Sequence, residues 1–447
     1  MTELVFPAGF MWGTATAAHQ VEGNNSNCDW WDWELRPGSP CREPSGNAIE
    51  HYERYPADVA LLARLGFDTY RFSVEWARIE PEEGRFDERQ LDHYRKMVAA
   101  VRKARLTPMV TLNHFTLPRW VAAQGSWISD RTPILFERYV RRVVEALGDQ
   151  VDWYCTINEP GILAFAGYMG GQPWPPGLHG MANFVGAQQR LIVAHRLALA
   201  AIKALRPGAR VGMTHAMLEW ESSPGARRSM EFARKMSEDD YLAACKDDDF
   251  VGVQTYTRVR LELPRPAGWV MAAALAFEPI RNRVVERMVG MMPTAPEPTA
   301  PEPPAAGENA GADDGPKRAH GGAGMRVTQM GYEYRPEAVA ATVRRAASLL
   351  PGKPIVVTEN GIATADDGER IEFITRALSG LHAAIADGIP LRGYVYWSGF
   401  DNFEWDLGYG MTFGLVSVNR QTQVRTAKPS AKFLGRVARS NKLVLPG

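Results

Sequence analysis

Two glutamates in this chain stand where side chains can do proton-transfer or nucleophilic work. In PIVVTENG (354–361) every residue from Ile355 to Thr358 is apolar or β-branched, as in a strand buried on both faces of a parallel sheet. Such a strand delivers Glu359 at its C-terminal end, where Gly361 can turn the chain away. A single strand-ending glutamate is most simply a capping group. VDWYCTINEP (151–160) supplies a second: another β-rich run ends in Glu159, and Pro160 stops the ladder. Two carboxyl groups on two strand ends are what glycosidic hydrolysis needs, one to give a proton and one to stand as an anion beside the sugar.

Repeated strand–helix alternation is the means of positioning them. Strand-like runs fall at 10–17, 67–73, 107–113, 153–158, 210–215, 250–255, 354–359 and 391–397, with helical patterns between them at 88–104, 134–147, 183–205, 336–349 and 370–387. Eight alternations predict an α/β chain folded as a single (β/α)8 TIM barrel over 1–447, whose chemistry lies at the C-terminal ends of the strands. Both glutamates fall there. Arg71, inside the second run, carries a charge that burial would penalise. It either forms a structural ion pair with Glu75 or another acid, or holds Glu359 in its ionised form. His114 ends the third run as a structural histidine or a site residue, and Asn158 directly precedes Glu159.

Composition narrows the partners. Lys plus Arg equals Asp plus Glu at 51 each, so no overall field draws the chain to nucleic acid or an anionic membrane. The 13 tryptophans suit either sugar platforms or core packing. Four irregularly spaced cysteines without a CxxC pair argue against a zinc or disulfide framework and suit a reducing cytoplasm. With no secretion-type leader and no apolar run of about 20 residues, a cytoplasmic chain without a transmembrane segment is expected.

One stretch breaks the alternation. Residues 257–330 form an insertion after the sixth strand. Val270, Ala273, Phe277, Val284, Met288 and Met291 recur at helical spacing within 268–292, an amphipathic pattern interrupted by Pro279. Residues 293–324, with PTAPEPTAPEPP, cannot bury a core and are expected to be disordered. The apolar stripe of 268–292 needs a cover: the chain's own barrel, an apolar aglycone, or, given Arg281, Arg283 and Arg287, peripheral contact with a membrane.

From about residue 6 to 433 the motifs FPAGFMWGTATAAHQVEG, RFSVEWARIEP, NHFTLP, TINEP, VVTENG and WSGFDNFEWDLGY resemble those of glycoside hydrolase family 1, the retaining β-glucosidases and β-galactosidases. The resemblance implies Glu159 as acid/base and Glu359 as nucleophile, with Arg71 and Tyr256 touching the nucleophile. It implies that Gln20, His114 and Asn158 bind sugar hydroxyls, that Glu404 and Trp405 reach the far hydroxyls, and that Trp397 floors the site, with a cis peptide at Trp397–Ser398. No cofactor and no metal are implied; the partner is a small β-glycoside. The glutamate at 404, absent from the family's phospho-glycosidases, implies an unphosphorylated sugar, and the glutamate at 159, absent from its thioglucosidases, implies an O-glycoside. Gln254 replaces the usual Asn two residues before Tyr256 and bears on how that tyrosine is held. Gly399–Phe400 and Thr412 also depart from the family pattern. The competing reading is an inactive sugar-binding or membrane- and partner-docking protein on the same barrel, which turnover of an aryl β-glucoside separates from an enzyme.

Overall fold

The computed structural model describes residues 2–169, 174–262 and 325–445. Eight parallel strands close into a barrel: β1 (Met11–Ala15), β2 (Thr69–Ser73), β3 (Thr107–Asn113), β4 (Trp153–Asn158), β5 (Arg210–Ala216), β6 (Val251–Gln254), β7 (Ile355–Glu359) and β8 (Leu391–Trp397). Neighbours in sequence are neighbours in space, and β8 pairs with β1 to complete the ring. The helices outside it include α1 (His51–Leu65), α2 (Glu88–Lys103), α3 (Thr132–Leu147), α4 (Pro160–Tyr168), α5 (Met181–Leu205), α6 (Ala338–Leu349), α7 (Asp367–Ala386) and α8 (Pro429–Ser440). This is the (β/α)8 barrel expected from the alternation.

Strand periodicity sorts the side chains into two layers. Tyr70, Phe72, Val110, Leu112, Val211 and Met213 point outward and share one apolar cluster with helix residues such as Leu62, Val98, Val140 and Leu191. Met109, Trp153, Cys155, Phe250, Val356 and Val395 form a second cluster inside the ring. Trp153 and Phe250 meet edge to face at 5.0 Å there. Trp12, Trp30, Trp76 and Trp127 are fully buried, so much of the tryptophan excess goes to packing.

Alternation alone does not aim the two glutamates. The pairing of β7 with β6 slips between Val357 and Glu359, and that of β4 with β5 slips between Cys155 and Asn158. Each irregularity sits immediately ahead of a glutamate, where an extra residue re-aims the side chain that follows. Glu159 also takes a left-handed backbone (φ 42°), uncommon for a residue with a Cβ, before Pro160 opens α4.

The insertion expected at 257–330 is described only at its ends, and the stretches 268–292 and 293–324 lie outside the described residues. Its start forms a strand, Arg258–Leu261, parallel to Glu219–Ser222, which sequence periodicity did not reveal. Its ends come together: Thr257 Oγ1 donates to the Glu333 carbonyl at 2.9 Å, and Arg258 grips the Glu333 carboxylate. Among the described residues no helix is long and apolar enough to cross a membrane.

Candidate active site

Arg71 organises the mouth of the barrel. It projects inward from β2 and is buried, and its guanidinium is fully occupied. Nη1 donates to Glu359 Oε1 and, at 3.3 Å, to the Thr358 carbonyl; Nη2 donates to Asn158 Oδ1 at 2.6 Å; Nε donates to Thr111 Oγ1 at 3.1 Å. Of its two sequence readings, the cation beside Glu359 is the one found. Glu75 instead accepts from Ala77 N and from Thr116 Oγ1 at 2.9 Å. On the other side of Glu359, the Tyr256 hydroxyl donates to Oε2 at 2.5 Å. Gln254 does not displace Tyr256; its amide donates to Asn158 Oδ1 at 3.0 Å.

Asn158 passes this order on to His114. With its Oδ1 taken by Arg71, Thr214 and Gln254, its Nδ2 is left to donate to His114 Nε2 at 3.3 Å. That assignment puts the imidazole proton on Nδ1, which has no partner among the described residues. Burial and the Arg71 charge push the His114 pKa well below its ordinary value, so the ring is neutral. Gln20 donates through Nε2 to the Phe403 carbonyl at 2.7 Å and to Glu404 Oε2 at 3.4 Å, and its Oε1 is likewise unpartnered. Two buried, oriented polar atoms without a partner among the described residues suit a ligand rich in hydroxyl groups.

The indoles complete the wall. His114 stacks against Trp397 (5.9 Å, 18°) and Trp405 (6.2 Å, 13°), and Trp405 packs on Trp30, Phe115 and Trp174. The peptide between Trp397 and Ser398 is cis. Gly361 has a role other than the turn expected of it: a Cβ there would lie 1.9 Å from the Trp397 carbonyl oxygen, so only glycine lets the two strand ends approach. Gly361→Ala is expected to shift Trp397, to lower stability by about 1–3 kcal/mol through overpacking, and to reduce activity. Thermal unfolding and turnover on one aryl glycoside check this.

Electrostatics divide the carboxyl groups. Burial, and then the Glu359 charge, push the Glu159 pKa well above the ordinary carboxylate range; the Arg71 charge offsets them only in part, and among the described residues no cation is bonded to Glu159. Burial raises Glu359 as well, but Arg71 and Tyr256 pull the other way, so the ionised form settles on Glu359 first. Arg71 thus favours the anion as expected, without overcoming burial entirely. Glu404 is pushed up to about 8 by burial, then by Glu359 and Asp406.

All ten residues singled out by sequence lie in this one cleft. Others belong to it that sequence did not single out: Thr111 and Thr214 around Arg71, Asn402 against Gln20 (3.1 Å), and Trp174, bonded to Asp406 at 3.0 Å. Tyr332, exposed at the surface, lies within range of the Glu404 and Glu159 charges. Asn402 was legible within DNFEW, whereas Tyr332 lies just past the insertion, between the strand and helix patterns, and carries no spacing signal. Thr412, a departure from the family pattern, is structural: its hydroxyl bonds Gln329 and the Thr364 carbonyl.

A parallel barrel whose mouth keeps two unequal carboxyl groups among amides and indoles is built as glycoside hydrolases are, and the chain is an enzyme of that class. Comparison with known proteins narrows the class to a family. The model of glycosyl hydrolase family 1 matches residues 2–443, and the chain belongs to that family. It is 28% identical to beta-glucosidase A of Thermotoga maritima, covering 98% of each chain, and 31% identical to a bifunctional beta-D-glucosidase/beta-D-fucosidase of Bifidobacterium breve, covering 96% of each. Among solved structures, a beta-glycosidase from Pyrococcus horikoshii superposes with a TM-score of 0.81 at 31% identity, covering 99% of this chain and 97% of that one.

Proposed function

We propose that the chain is a retaining, exo-acting β-glycosidase that hydrolyses the β-O-glycosidic bond of unphosphorylated β-D-glucosides by double displacement. The observation that carries this reading is the unequal support of the two glutamates. Glu359 has a guanidinium on one oxygen and a phenol on the other, while Glu159 has no cation bonded to it among the described residues and is raised by burial. Glu359 attacks the anomeric carbon as Glu159 gives its proton to the departing oxygen. Water then loses a proton to Glu159 and attacks the glycosyl ester, releasing Glu359 and regenerating the acid. His114 Nδ1–H, Gln20 Oε1 and Glu404 bind ring hydroxyls, Asn158 orients His114, Trp397 supports the apolar face of the ring, and Trp405 closes the far side. Glucose is favoured by the names of the relatives. Fucosides, which the Bifidobacterium enzyme's name includes, and galactosides are the sugars to test beside it. An apolar aglycone rests on the 268–292 stripe in the sequence alone.

Retention is read by proton NMR during hydrolysis: the β-anomer of the free sugar is expected first, and the α-anomer first would mean inversion. A retaining pair also places the two carboxyl groups about 5–5.5 Å apart. Absence of turnover across glucosides, galactosides, fucosides and mannosides would favour the inactive sugar-binding reading.

The Tyr256 bond supplies a pH test. The hydroxyl lowers the Glu359 pKa, so Tyr256→Phe is expected to raise it. Because the reaction uses ionised Glu359, the acidic limb of kcat/KM then moves to higher pH, and the alkaline limb, where Glu159 loses its proton, moves less. An unmoved acidic limb would separate Tyr256 from the titration of Glu359.

A further inference from the structure

A second cluster of reactive side chains lies between the barrel wall and its helices, outside the carboxylate cleft. His195 comes from α5, His215 from β5, and Cys245 and Asp248 from the turn leading into β6; all four are buried. Ligand atoms of His195, Cys245 and Asp248 lie within 4.8 Å of one another. His195 Nε2 is 3.0 Å from Asp248 Oδ1, and His215 Nε2 is 3.2 Å from Cys245 Sγ. Cysteine spacing argued against a zinc framework, but folding gathers here, from a stretch between His195 and Asp248, a set that spacing cannot display.

We propose that His195, Cys245 and Asp248 form a buried binding site for a thiophilic divalent metal ion, zinc in the first instance, with His215 beside Cys245 as the neighbouring fourth group. In a tetrahedral zinc site, metal–ligand bonds of about 2.0–2.3 Å set neighbouring ligand atoms roughly 3.3–3.8 Å apart, so small side-chain shifts open these contacts to that size. The remaining polar atoms are already tied back as outer partners. His195 Nδ1 bonds Thr156 Oγ1 at 2.8 Å, which aims Nε2 at the centre. Asp248 Oδ2 accepts from Met213 N at 3.0 Å, which leaves Oδ1 for the ion. An imidazole, a thiolate and a carboxylate together favour zinc over magnesium or calcium. On binding, a Zn–S bond forms as the Cys245 thiol proton passes to solvent. The ion would pin α5 and the turn before β6 to strands β4 and β5, a structural staple rather than a part of the reaction.

The site is buried, so the metal has to be present during folding. The full chain, without a polyhistidine tag, is produced in zinc-supplemented and in cobalt-supplemented medium and dialysed, and its metal content is measured. About one equivalent per chain is expected, and the cobalt form should show tetrahedral visible bands with a thiolate charge-transfer band. Cys245→Ser should lose that charge-transfer band and most of the metal. Should that variant fail to fold, the wild-type cobalt spectrum still decides. Less than about a tenth of an equivalent in the wild-type chain, or cobalt bound without the thiolate band, would overturn the proposal and leave the four groups as a hydrogen-bonded network.

Discussion

Replacing Glu359 with alanine is expected to lower turnover by at least about 10⁴-fold on every glycoside, equivalent to roughly 5.5 kcal/mol of barrier. The size follows from the role: with no carboxylate to form the glycosyl ester, neither half of a double displacement proceeds. The same variant should answer to a small anion. Arg71 and Tyr256 stay in place facing the vacated volume, with a guanidinium that has lost its carboxylate. Added azide is drawn to that cation and can attack the anomeric carbon from the nucleophile's side. With an activated aryl glycoside the product is then the inverted glycosyl azide. Losing one partner of a buried ion pair costs about 3–5 kcal/mol of stability. Circular dichroism must therefore show the variant folded before its activity is read. Residual turnover within about tenfold of the parent, on a folded protein, would place the nucleophile elsewhere.

Much of this cleft was legible because its residues sit on elements with strong periods. The eight strand runs were visible as apolar or β-branched stretches, and observed element ends lie within three residues of the expected ones. The rule that barrel chemistry gathers at strand ends then placed Glu159 and Glu359 together without any contact being known. Arg71 was conspicuous because a charge within a buried strand demands a partner, although sequence could not choose between Glu75 and Glu359.

What stayed hidden depends on pairing between distant segments. The slips before Asn158 and Glu359 are relations between neighbouring strands, and no single strand's sequence records them. Gly361 read as a turn residue, yet it is needed because β8 ends against it, 36 residues later in the chain. The His195 and His215 cluster shows the same limit. Each histidine alone looks like a core residue, and only the closed barrel sets them beside Cys245 and Asp248.

Glu159→Ala is expected to divide substrates by leaving group. For alkyl or cellobiose-type glycosides, whose departing oxygen must be protonated, kcat/KM should fall by about 10²–10⁴-fold, the ordinary contribution of a placed general acid. For a dinitrophenyl glycoside, whose phenolate leaves without a proton, kcat/KM should stay within about tenfold of the parent. The second half-reaction still lacks its base, so kcat on the dinitrophenyl substrate should fall as the glycosyl ester accumulates, and KM should fall with it. A burst of dinitrophenol approaching one equivalent of enzyme would show that accumulation directly. The alkaline limb of the pH profile should disappear too, because the group whose proton was being lost is gone; its raised pKa comes from burial and the nearby Glu359 charge. Glu159 forms no ion pair among the described residues that would be left stranded, so this variant should fold more securely than the Glu359 one. Equal losses on both leaving groups, with the alkaline limb intact, would take the acid role away from Glu159.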